Sequence, residues 1–197
     1  ELKLLGLSSI KISLADRLKL ICQILIKKFY NIEIPLEDFH DSEEKDRIRE
    51  NYPFFAGKPF KLRTILQQIG TEVFRDLLWN SIWCDYVNLT QISNCQHQVI
   101  IISDCRMPDE LQYLKKLAEN HTIELLISCR IIRPNRQQLS MDNRNHNSES
   151  QIANLPVDFE IKNDGTFDDL YRLLDEKVVK KIKNHFQISN EMNLVNM

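Results

Sequence analysis

An apolar run, Gln98-Val-Ile-Ile-Ile-Ser, stops at the carboxylate Asp104, with the guanidinium of Arg106 two positions on and Glu110 beyond it. Buried runs of this kind read as strands, and open parallel sheets place their ligands just past the carboxyl ends of strands. There, Asp104 could bind a sugar or hold Mg²⁺ through water. Arg106 could neutralise the oxygens of a transferring phosphate. Glu110 could orient Arg106 or contact a base. The plain alternative is a strand-end salt bridge, with Cys105 as filler.

Three other places carry candidate chemistry. Gly70-Thr71 joins a backbone that can approach a ligand closely to a hydroxyl that can cap or donate; a helix break with its cap explains it equally well. Trp83 could stack on a base, although a tryptophan at an apolar helix position commonly packs in a core. Between Arg133 and Glu149 lie Arg133, Arg136, Arg144, His146, Ser148 and Glu149, in a composition that also suits a polar loop. His146 with Asp142 and Glu149 lacks the cysteine or second histidine that a metal site of this kind would want, so no metal ligands are assigned.

The elements that must position these groups alternate. A helix is expected over Asp16–Tyr30, with Leu18, Ile21, Ile24 and Leu25 on one face. A polar acidic stretch, Glu37–Asp46, follows. Residues 58–87 read as two helices broken at Gly70. Residues 98–104 form a strand, 108–120 a helix, 122–134 a strand, and 157–165 a strand entering a turn at Asn163-Asp164-Gly165. A closing helix over 166–186 has Thr166 as its N-cap. Strands alternating with helices, without polar alternation in the buried strands, predict an α/β fold: a mostly parallel open sheet with helices on both faces.

The opening residues resist that scheme. Leu4–Ser9 reads as a strand running into a tight turn, and Ile10–Leu14 as a second strand. Parallel neighbours need a crossover of about a dozen residues or more, and none separates Ser9 from Ile10. A two-residue hairpin would fit, but Ser-Ser lacks the glycine or asparagine that primed turns favour.

Composition sets the outer limits. With 197 residues, 43% hydrophobic and 27% charged, the chain has an ordinary globular make-up. The expected organisation is a single domain over 1–186, with a flexible tail at 187–197. A net charge of -2 gives no basic field for nucleic acid or an anionic membrane. The five cysteines form no paired spacing, which points to a reducing, cytoplasmic compartment. No apolar run is long enough to span a bilayer.

Along most of its length the chain resembles the deoxynucleoside monophosphate kinases, relatives of adenylate kinase. The segments "ISLADRLK" (12–19), "KLRTILQQIGTEVFR" (61–75), "WCDYV" (83–87), "VIIISDCRMPDEL" (99–111), "RP" with "HNSE", and "IKNDGTFDDL" (161–170) are similar to the family's motifs and fall in the same order. The resemblance implies a nucleoside-monophosphate-kinase-like fold that uses ATP and Mg²⁺. Its acceptor-binding helical part would lie at about 16–90 and a lid-like segment at about 133–151. The implied substrate-binding residues are Lys19, Arg63, Gly70, Thr71, Trp83, Asp104, Arg106 and Glu110. Arg63 would clamp a monophosphate through its fork of donors; otherwise it pairs with the acidic stretch. Asp104, Arg106 and Arg133 would be catalytic. Gly6, Arg133, Asn163 and Gly165 would hold ATP, the last two by wrapping its adenine with backbone groups.

The departure from the family is the phosphate-binding loop. Gly6 stands where its first glycine would, but no Gly-x-x-x-x-Gly-Lys-Ser/Thr run and no following helix are found. The gap corresponds to roughly 20 residues, the size of a helical crossover. The expected activity is phosphoryl transfer from ATP to a deoxynucleoside monophosphate, impaired by that gap. The alternatives are a related small-molecule kinase, such as a phosphomevalonate kinase, and a non-catalytic protein that binds a nucleotide or a partner. The Leu-Gln…Gly-Thr segment favours a nucleotide acceptor. Small-molecule nucleotides are the expected partners, with no nucleic acid and no membrane; a homodimer is left open.

Overall fold

The computed structural model describes residues 7–50, 59–133 and 151–186. They fall into two compact units. The first comprises 10–96 and 100–105; the second comprises 97–99, the described part of 1–9, and 106 onward.

In the first unit, strand β1 (Ser9–Ile12) pairs with β2 (Val99–Ile102). Helix α1 spans Asp16–Tyr30 as expected, but of the predicted face only Leu18 is buried: Ile24 is exposed, and the buried stripe is Leu18, Cys22 and Ile26. It ends where Asn31 adopts a left-handed conformation, φ 54°, and its N–H donates to the Lys27 carbonyl; Lys27 and Lys28 stand favourably at the negative end of the helix. Burial pushes the Cys22 thiol up to about 12, so it stays a neutral core filler. A short helix, α2 (Ser42–Asp46), starts on the Asp41 carboxylate, which accepts from the Glu43 and Glu44 amides.

Helix α3 (Leu62–Gln67) does not break at Gly70. It continues in wider, i→i+5 turns over Gln68–Leu78. Two helices are present over 58–87 as expected, but the break falls at 79–81 and not at Gly70. The reason is tertiary: a Cβ at Gly70 would lie 2.4 Å from Leu18 Cδ2, so the missing side chain is the groove into which α1 packs. Helix α4 (Ile82–Val87) runs on in the same wide fashion over Asn88–Ile92 and buries Trp83, Cys84 and Val87.

In the second unit, Ser8 and Gln98 clasp each other. The Ser8 N–H donates to Gln98 Oε1, the Gln98 N–H donates to Ser8 Oγ, and the Val99 N–H donates to the Ser8 carbonyl. Ser8 and Ser9 thus lead straight into β1, and the expected tight turn there is absent. Helix α5 (Pro108–Glu119) buries Leu111, Leu114 and Leu117. Strands β3 (Cys129–Ile132) and β4 (Phe159–Lys162) pair in parallel, with Cys129 opposite Phe159 and Ile132 opposite Lys162. Helix α6 (Phe167–Leu174) begins at the predicted cap: Thr166 Oγ1 accepts from the Asp169 N–H, and Asp169 Oδ2 accepts from the Thr166 N–H. It continues through Asp175–Val179 to residue 186.

The fold is mixed α/β, but among the described residues the strands form two separate pairs rather than one open sheet. A sheet covered on both faces would bury every strand; here Ile10, Ile101, Ile131 and Ile132 remain exposed. Ser9 and Ile10 are consecutive residues of one strand, so no crossover helix arises between them to cover its face. Among the described residues, no helix is long and apolar enough to cross a membrane.

Replacing Gly70 by alanine is expected to destabilise the protein by about 1–3 kcal/mol, through overpacking against Leu18. Urea unfolding measures this, and adding Leu18→Ala should cost less than the sum of the two single changes. Additive losses would show that Gly70 and Leu18 do not compete for the same space.

Candidate functional site

The first unit holds Asp104 at the end of β2 and uses it to secure the approach to α1. Asp104 Oδ2 accepts from Ser13 Oγ at 2.5 Å and from the Ala15 N–H at 3.0 Å; Oδ1 accepts from the Leu14 N–H at 2.9 Å. Helix α1 has no side-chain cap of its own. A carboxylate 90 residues away in sequence takes that place near the positive end of its dipole. Two oxygens offer about four acceptor sites, so roughly one remains at Oδ1. That suits a metal-bound water and not two-oxygen ligation. Among the described residues, no group of three or more His, Cys, Asp or Glu side chains could hold a metal ion.

Lys19 lies one turn into α1. Its ammonium donates to Asp16 Oδ1 at 3.0 Å and lies 3.2 Å from His40 Nδ1. Arg17 bonds the Tyr86 hydroxyl and stacks over that ring at 4.7 Å, tying α1 to α4. Arg63, on the first turn of α3, is held by Asp46 of α2: Nε donates to Oδ1 at 2.6 Å and Nη2 to Oδ2 at 2.8 Å. Trp83 is buried. Its indole N–H donates to the Gly70 carbonyl at 3.2 Å, and Phe74 packs against it at 5.1 Å. Gly70, Trp83 and α1 therefore meet in the core, and Thr71 follows half-buried beside them in sequence. A cavity of about 470 Å³ in this unit is lined by Leu36, Glu37, His40 and Asp41.

In the second unit, Glu110 is buried and accepts on Oε2 from the Arg106 N–H at 2.8 Å and the Met107 N–H at 3.0 Å. It closes the start of α5, with Pro108 in the first turn. Past the paired ends of β3 and β4, the structure brings Arg133, Asn163 and the Gly165 turn together. The Asn163 N–H donates to the Ile132 carbonyl at 2.8 Å. Its side chain is buried, and Oδ1 has no hydrogen-bond partner among the described residues. The Arg133 guanidinium sits 5.6 Å above the centre of the Phe167 ring. At Gly165 a Cβ would lie 2.4 Å from Asp169 Oδ2, so glycine lets that carboxylate close onto Thr166. Hydrogen bonds from the Thr166 amide and hydroxyl hold the Asp169 carboxyl below its ordinary value.

Ser128 and Asp158 fasten the start of this strand pair. The Ser128 amide and hydroxyl both donate to Asp158 Oδ2, and Ser128 Oγ accepts from the Asp158 N–H. Burial pushes the Asp158 carboxyl up, but the Ser128 bonds, with Lys181 and Lys115 nearby, outweigh it and leave the net shift downward from 3.8.

Gly6, Arg136, Asp142, Arg144, His146, Ser148, Glu149 and most of the lid-like segment lie outside the described residues. Sequence reasoning did not single out Asp46 or the buried Arg49, which bonds Asp38 and Glu44. The available signal was the run of carboxylates over 37–46, too dense to pass as an ordinary loop without cationic partners.

These units define a mixed α/β protein whose strand ends and helix starts carry paired carboxylates and guanidinium groups. The model of the deoxynucleotide monophosphate kinase family matches residues 8–174, and the chain belongs to that family. No curated protein matches it.

Replacing Asp104 by alanine leaves the Leu14 and Ala15 amides and the Ser13 hydroxyl without their acceptor. It should lower stability by about 1–3 kcal/mol in urea unfolding; an unchanged midpoint would remove its structural role. Because the folded-state pKa of Asp158 is depressed, its contribution is fully present above the ordinary carboxylate value and is lost as pH falls through the depressed one. Ser128→Ala should flatten that acid limb of the stability curve. An identical acid limb would dissociate Asp158 from acid sensitivity.

Proposed function

We propose that the chain binds a deoxynucleoside monophosphate and belongs to an ATP- and Mg²⁺-dependent phosphoryl-transfer scaffold of the phosphate-loop type. The family match over 8–174 carries this reading. On it, Arg63 holds the acceptor phosphate, with Lys19 of α1 and Thr71 of the helix continuing α3 as further acceptor-binding residues. Arg106 and Arg133 neutralise phosphate oxygens, and Asn163 with the Gly165 turn receives the donor base. Asp104 would hold Mg²⁺ through water, and the ion would supply charge neutralisation on the phosphates.

A second reading rests on a specific observation. Ser8 and Ser9 run directly into β1, and the chain contains no Gly-x-x-x-x-Gly-Lys-Ser/Thr loop. Backbone amides of such a loop, its lysine and the following helix supply most of the grip on ATP phosphates. Without them, the protein is a nucleotide binder with little transfer activity.

The two readings separate in one experiment. The chain, and a version with a phosphate loop and helix inserted after Ser9, are titrated with deoxynucleoside monophosphates and assayed for ADP release. Monophosphate binding by both, with turnover only in the second, is expected. Equal turnover would show that the loop is dispensable, and no turnover in either would favour the non-catalytic reading. Arg63→Ala should weaken monophosphate binding by about 2–5 kcal/mol; unchanged binding would return Arg63 to a purely structural ion pair.

A further inference from the structure

Arg63 does not stand alone on α3. Asp46 grips it along one edge, Nε to Oδ1 and Nη2 to Oδ2, a bidentate contact that fixes both the plane and the rotamer of the guanidinium. The pair is partly shielded, with Arg63 22% and Asp46 36% exposed, so water competes less with it than with an open surface pair. Both partners are themselves held. Arg49, buried, donates to Glu44 Oε2 and to the Glu44 carbonyl of α2, and to Asp38. Its backbone forms a two-way antiparallel bridge with Phe60, at 2.8 and 3.1 Å, two residues before α3. Arg49 thus ties the helix bearing Asp46 through its guanidinium and the segment that delivers Arg63 through its backbone.

From this arrangement we infer that Asp46 is a positioning residue for the acceptor monophosphate: it presents the Arg63 guanidinium in a fixed orientation to the phosphate. The inference rests on the reading of Arg63 as the acceptor-phosphate arginine. A flexible arginine loses rotamer freedom when it clamps an anion; one already held by a carboxylate loses less, so the bound phosphate keeps more of the interaction. The opposite effect is competition, in which Asp46 occupies the guanidinium and must be displaced. The double tether through Arg49 and Phe60 favours positioning, because the pair is held by the surrounding fold and not by its own attraction alone.

The test uses the full chain and four deoxynucleoside monophosphates, titrated calorimetrically, so it does not require turnover. Asp46→Asn should raise the dissociation constant of the bound monophosphate about tenfold, and Asp46→Glu should restore part of the loss. In an Arg63→Ala background, Asp46→Asn should change nothing further. Thermal melting checks that the variants are folded. An unchanged constant in Asp46→Asn, with the parent protein binding, would overturn the inference alone. So would a tighter constant, which would make Asp46 a competitor, or an equal loss in both backgrounds, which would make its effect general. A parent chain that binds none of the four overturns the underlying reading of Arg63 and the inference with it.

Discussion

The carboxylate of Asp104 is the constraint on which the first unit turns. It ends β2 and accepts three hydrogen bonds from Ser13, Leu14 and Ala15, the residues that carry the chain from β1 into α1. Bonds to a charged acceptor are each worth about 1.5–3 kcal/mol at most, yet their leverage exceeds their energy. They fix where α1 starts, hence where Leu18 meets Gly70, and hence how α3 and Trp83 stack behind it. A group that looks from its position like a ligand for metal or sugar therefore also holds the framework. Its remaining acceptor capacity, about one site on Oδ1, leaves no room for two-oxygen ligation of a metal.

The second unit solves a similar problem with different groups. Two four-residue parallel strands have little intrinsic stability. Their pairing is fastened at one end by the Ser128–Asp158 exchange and alongside by Arg130, which pairs with Glu160 and donates to the carbonyls of Ile152 and Ala153. At the other end, where parallel strands open toward ligands, Arg133 and Asn163 emerge beside the capped start of α6. Order at the fastened end sets the spacing at the open one.

What the sequence disclosed was local. The bounds of α1 follow from its run of apolar residues, although not the face it buries, and Thr166 marks the start of α6. The helix over 108–119 follows from the same periodicity and from Pro108. What escaped was set by distant partners. Gly70 has the local signature of a helix break, but its empty side is filled by Leu18, more than fifty residues earlier, and the helix continues. Glu110 reads as a ligand-facing acid yet closes its own helix. Asp46 is one of several carboxylates in a row, and nothing in the row shows which of them meets Arg63. The exposed isoleucines of β1, β2 and β3 were hidden by the assumption of one covered sheet.

The two kinds of phosphate recognition expected of this family place different demands on the chain. Holding a monophosphate by an arginine needs one guanidinium and something to aim it; α2, α3 and the Arg49–Phe60 bridge supply both within a short stretch. Such a device depends on side chains and survives changes elsewhere, as long as its own helices stay in place. Gripping the phosphates of ATP needs a continuous nest of backbone amides that all point at one spot, followed by a helix whose dipole adds to them. No side chain can substitute for that geometry, because a lone arginine offers charge without the converging amides. With Ser9 joined directly to Ile10 inside one strand, the proposed acceptor half and donor half cease to be equivalent. On the proposed reading the first keeps an arginine held by Asp46, while the second has, among the described residues, Arg133 and Asn163 at strand ends. On the proposed reading of Arg63 and of the missing phosphate loop, binding without transfer is the state that this asymmetry would favour.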